Sequence, residues 1–127
     1  MTDVRVMREH IDYICRRNQV RIGQHSRGGN ASRRGRFINI RPIKSSVTYA
    51  VALHELGHVL GPWQSKPRLY KEAGAWKWAL ENALCWTPVM QKTMVRALTS
   101  YLHWQERRQK YVRLPEADHD FWRLIGQ

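Results

Sequence analysis

The tightest constraint on this chain is local: His54-Glu55-Leu56-Gly57-His58, set between an alternating segment that ends at Arg41 and a Gly61-Pro62 stop. Two histidines four apart share one face of a helix, with Cβ atoms about 5–6 Å apart. Imidazoles placed this way can converge on one metal ion at about 2.0–2.1 Å. The spacing predicts a helix over Ser45–Leu60, with Ser45, Ser46 or Thr48 as N-cap. Val51, Ala52, Leu56, Val59 and Leu60 supply its apolar positions, and Gly57 leaves room for close packing or ligand approach.

The pattern H-E-x-x-H is a zinc metalloprotease signature. In that chemistry His54 and His58 are zinc ligands. Glu55 is not a ligand but a general base, which takes a proton from the attacking water and passes it to the leaving amine. A catalytic zinc needs a third protein ligand and one open position. From Tyr13 to Gln105 the only carboxylates are Glu55, Glu72 and Glu81. Glu72 and Glu81 fall on opposite faces of one predicted helix, so only one can point at the ion. Glu72 shares its face with Ala75, Trp76, Ala79 and Ala83, which suit packing on the motif helix, whereas Glu81 can pair with Lys77 in solvent. The expected ligand set is therefore His54, His58 and Glu72. A longer metzincin pattern fails, because Gln64 stands where its third histidine belongs. A structural zinc site is the rival arrangement. It needs a fourth protein ligand, such as His103 or Cys85.

Around the motif, 127 residues argue for a single domain spanning 1–127. Apolar spacing at Val4, Met7, Ile11 and Ile14 or Cys15 predicts a helix over Val4–Arg17. Val20-Arg21-Ile22 reads as a short strand, Gly23–Gly35 as a mobile basic loop, and Arg36–Arg41 as the best strand, with Phe37 or Ile38 and Ile40 inward. That strand is expected at the sheet edge, where an extended peptide could pair with it. Further helices are expected from Pro67 to about Trp86, from Thr87-Pro88 to about Gln109, and over Pro115–Leu124. The fold class is α+β, mostly α: a minimal zincin-like domain with a small sheet beside the motif helix and a following Glu-bearing helix. Cys15 and Cys85 make no disulfide framework and suit two buried, reduced thiols in a cytosolic protein. The N-terminus lacks a secretory signature, and no apolar run approaches the ~18 residues of a membrane span.

The 22 basic and 10 acidic residues leave a net charge of +12, unevenly spread. From Tyr13 to His54 there are nine basic residues and no acidic one. Such a stretch can follow phosphates, with Arg27, Arg33, Arg34 and Arg36 as contacts, or can simply be a solvated surface.

His54 through Gly61, then Glu72 with Ala75-Trp76 and Trp78-Ala79, resembles the gluzincin-type domains of the ImmA/IrrE metallopeptidase family. Ile38, Ile40 and Lys44 before the motif fit too, so the resemblance covers about Arg36 to Trp86. It implies a small cytoplasmic or phage-borne zinc peptidase that acts on a protein substrate such as a transcriptional repressor. A similar zincin core in SprT-type proteases acts on DNA-bound proteins. The alternative is a zinc-containing module that binds nucleic acid or a repressor without proteolysis. Tyr70, Tyr101 and His103 are candidate oxyanion donors that spacing does not rank. His10, His25 and His119 read as surface residues, Trp76 and Trp86 as packing for the Glu-bearing helix, and Trp63 as a wall of the substrate cleft.

Overall fold

A computed structural model describes residues 3–108 and 114–126. In chain order it contains α1 (Val4–Asn18), β1 (Arg21–Gln24), β2 (Gly29–Ser32), β3 (Phe37–Ile40), α2 (Ser46–Leu60), α3 (Arg68–Asn82), α4 (Pro88–Arg108) and α5 (Asp120–Leu124). The class is α+β and mostly helical, as expected. Asp3 caps α1 by accepting from the Arg5 and Val6 amides, and Met7, Ile11, Ile14 and Cys15 are its buried stripe. Gln19, with φ at 57°, turns the chain out of α1 toward β1.

The sheet has the order β1-β3-β2, with β1 parallel and β2 antiparallel to β3. This corrects two expectations. The Arg36–Arg41 strand is central rather than at the edge, because both its sides are taken. The 23–35 segment is not a loop throughout: Gly23 and Gln24 belong to β1, and residues 29–32 form β2. Gly29-Asn30-Ala31-Ser32 has no β-branched or aromatic residue, so nothing in its composition signals a strand. Its register against Phe37–Ile40 makes it one. Ile38 and Ile40 are buried and point into the core on one face of β3.

α2 starts at a capping box, in which Ser45 accepts from the Thr48 amide and Thr48 returns a bond to the Ser45 amide. The centre of the molecule is the packing of α2 on α3. A Cβ on Gly57 would lie 2.2 Å from the Ala75 carbonyl oxygen and 2.7 Å from its Cα. One on Gly74 would lie 2.0 Å from the Pro62 carbonyl oxygen. The two backbones therefore approach more closely than side chains at these positions would allow. Tyr49, fully buried on α2, ties three parts together: its hydroxyl bonds His10 Nδ1 at 2.7 Å and accepts from the Leu84 amide at 3.0 Å. That second bond draws the chain off the helical path, so α3 ends at Asn82 rather than near Trp86. At the next start, the Met90 amide donates to Thr87 Oγ1, the cap its Thr-Pro sequence announces.

The last helix is shorter than expected. It begins at Asp120, because His119 Nδ1 caps it by accepting from the Phe121 amide, while the Trp122 indole bonds the carbonyls of Pro115 and Glu116. Residue 109, the expected end of the preceding helix, lies outside the described residues.

Candidate metal centre

α2 presents His54 and His58 one turn apart, with ring centroids 4.6 Å from each other. The close α2–α3 packing brings Glu72, in the second turn of α3, against both. Glu72 Oε1 is 3.1 Å from His54 Nε2, and Oε2 is 2.9 Å from His58 Nε2. One ligand atom from each of the three residues fits within a 4.8 Å span. Among the described residues no other His, Cys, Asp or Glu joins this group; His103 is exposed, and Cys85 is a half-buried free thiol outside it. Glu81 pairs with Lys77 at 3.3 Å, as its face predicts.

The donor set suits zinc. It offers two imidazole nitrogens and one carboxylate, and it opens on a cleft of about 360 Å³ that leaves room for a fourth ligand. Each imidazole is held from behind. His54 stacks on Trp76, with centroids 4.5 Å apart and planes 16° from parallel. His58 Nδ1 donates to Gln64 Oε1 at 2.9 Å. The Gln64 amide cannot turn, because its Nε2 donates to the carbonyls of Pro62 and Lys71. This fixes the His58 tautomer with Nε2 toward Glu72, the outer support that metal-binding histidines require. Gln64, rejected in sequence as a metzincin ligand, is thus a positioning group. No spacing rule pointed to it, because its partners lie on both sides of the α2–α3 turn.

Charge follows from this geometry. Burial works against the protonated form of His58. The hydrogen bond and charge of Glu72, with the acceptor of Gln64, outweigh it and raise the His58 pKa above 6.5. Burial would likewise raise Glu72, but hydrogen bonds from both histidines prevail and hold it at about 2. Glu55 behaves differently. Burial pushes its pKa up and the nearby histidines offset that only in part, so it is more basic than an ordinary carboxylate. Its Oε2 lies 3.7 Å from His54 Nδ1, and Gly29 of β2 sits so close that a Cβ there would be 2.9 Å from that oxygen.

The cleft is walled by Gly29, Asn30, Ala31 and Arg33 on one side and by Arg68, Lys71 and Tyr101 on the other. Of the three oxyanion candidates, Tyr101 alone lines it, brought there by α4; Tyr70 and His103 do not. Trp63 does not line it either. With Tyr70 and His119 it borders a neighbouring cavity, its ring 4.4 Å from that of His119. His10, His25 and His119 are half-buried rather than on the surface. His25 Nδ1 accepts from the Arg27 and Gly28 amides and shapes the turn into β2.

No protein-family model, curated protein or solved structure matches this chain.

Proposed function

We propose that this protein is a zinc-dependent metallopeptidase of the gluzincin type, hydrolysing peptide bonds of a protein substrate. The observation that carries the reading is the meeting of His54, His58 and Glu72 within 4.8 Å, with Glu55 beside them at the floor of one cleft. The three would hold Zn²⁺, and a bound zinc would supply Lewis-acid chemistry toward a water and a scissile carbonyl. Glu55 takes the proton from the attacking water and returns it to the leaving amine; its raised pKa suits both steps. The Tyr101 hydroxyl donates to the oxyanion that develops on the attacked carbonyl. β2 is an edge strand, and the backbone row it leaves outside the sheet can pair with an extended peptide.

The substrate we favour is a DNA-associated protein or a repressor, in the cytoplasm of a bacterium or a phage-infected host. This rests on the resemblance to ImmA/IrrE domains. No helix among the described residues is long and apolar enough to cross a membrane. A second reading, a nucleic-acid-binding module without proteolysis, draws on exposed Arg27 and Arg34, which make no ion pair among the described residues. It predicts DNA binding that is steeply salt-dependent and indifferent to Glu55→Gln.

Elemental analysis tests the main reading. Near-stoichiometric zinc is expected in the wild type and in Glu81→Ala, with a sharp fall in Glu72→Ala. A wild type that takes up no zinc would remove the peptidase reading.

A further inference from the structure

We propose that the cleft selects an acidic peptide segment, with Arg33, Arg68 and Lys71 reading carboxylates that flank the scissile bond. This rests on the peptidase reading and names its substrate class. Three cations line the cleft, against two carboxylates, Glu55 and Glu72, that sit at its floor and are committed to the metal centre. A bound dication would cancel those two, leaving the rim with three uncompensated positive charges. None of the three rim cations forms an ion pair among the described residues, although all are exposed.

Two of them are also held in place. Arg33 donates to the Gly61 carbonyl at 3.0 Å, across the lip from the end of β2 to the end of α2, which leaves most of its guanidinium fork free. The Arg68 guanidinium lies over the rings of Tyr101 and Trp104, at 5.4 and 5.7 Å from their centroids. Cations fixed without an anionic partner lose little freedom when an anion arrives, which is what a pre-organised recognition site needs. Both walls carry charge: Arg33 continues β2, while Arg68 and Lys71 belong to the first turn of α3. A strand laid along β2 would place alternate side chains toward the α3 wall. A nucleic-acid backbone is the competing occupant for these cations, and an oligonucleotide probe of equal charge separates it from an acidic peptide.

Binding is measured separately from turnover, on zinc-loaded Glu55→Gln protein, by fluorescence anisotropy. The probes are a short fluorescein-labelled peptide of alternating Glu and Ala, the same peptide with Gln for Glu, and a labelled thymidine oligonucleotide of equal charge. The Glu peptide is expected to bind about tenfold more tightly than the Gln peptide. Arg68→Gln and Lys71→Gln, each checked for an unchanged helical circular dichroism spectrum, should shrink that ratio. The double reversal Arg68→Glu/Lys71→Glu should turn the preference toward a Lys/Ala peptide, an effect that a purely structural role would not produce. Equal binding of the Glu and Gln peptides overturns the proposal, and so does tighter oligonucleotide binding that depends on the same residues. Zinc content and cleavage of unbiased peptide pools by the wild type are scored alongside. Zinc-dependent cleavage with no acidic preference defeats this inference alone; absent zinc defeats the peptidase reading.

Discussion

The two walls of the cleft are built by opposite means. On one side α2 and α3 meet almost backbone to backbone, with Gly57 against Ala75 and, just past the end of α2, Pro62 against Gly74, and much of what lies between them is buried. On the other, β2 is half-exposed, has no large apolar side chain, and is held by its ladder to β3 and by contact with α2. The first wall positions His54, His58 and Glu72; the second approaches Glu55 through Gly29. The arrangement of these three side chains thus depends on close packing, which tolerates almost no added volume. The position of Glu55 is bounded instead by the backbone of a short edge strand.

If that division holds, substitutions should separate it cleanly. Gly57→Ala should have the largest effect. Its Cβ would meet Ala75 backbone at 2.2 Å, so the helices must part, at a cost of about 3 kcal/mol or more. Chemical denaturation should show the loss together with reduced zinc content, and unchanged stability would mean that the seam is looser than described. Gly29→Ala, on the opposite wall, should leave stability and zinc content near wild type. It crowds the Glu55 carboxylate at 2.9 Å, so peptidase turnover should fall by about 100-fold, the usual scale for a misplaced general base. Zinc loss in this variant would show that the walls are not independent.

The smallest effect is expected at Gln64. Gln64→Ala removes the acceptor behind His58 and should weaken zinc binding by about 10-fold without unfolding the protein. The same position sharpens the pH behaviour. In metal-free protein the His58 pKa is raised, so the stabilisation from its pairing with Glu72 is complete below 6.5 and is lost as pH rises through the raised value. Glu72 is depressed from 4.5 to about 2, so its contribution is complete above 4.5 and is lost as pH falls toward 2. Zinc bound at His58 would displace its proton. Calorimetry in buffers of different ionisation heat should therefore record proton release just above pH 6.5, and less of it in Gln64→Ala.

Much of the helical wall was legible in the sequence. The spacing of His54 and His58, the face shared by Glu72, Ala75, Trp76 and Ala79, and the Thr87-Pro88 start all rest on helical period and capping, which act within a few residues. β2 was not legible, because Gly29-Asn30-Ala31-Ser32 becomes a strand only through its partner in β3. Without β2 in view, β3 looked like an edge. For a related reason Arg68 was hidden, the support Gln64 gives His58 was not visible, and Tyr101 could not be ranked above Tyr70 and His103: each matters through neighbours brought together by the α2–α3 turn or by α4. The short last helix reflects the same limit, since its start is set by the His119 cap and by the Trp122 indole reaching back to Pro115 and Glu116.

The stacking of His54 on Trp76 gives the centre an optical voice. Trp76 is the one fully buried tryptophan among the described residues, and its indole N–H has no hydrogen-bond partner. Such an indole emits toward the blue, away from the solvent-relaxed glow of its half-exposed counterparts. The His54 imidazole lies flat against it, so an ion engaging that ring would change the emission. Zinc bound as proposed would thus be reported through a neighbour that is not one of its proposed ligands.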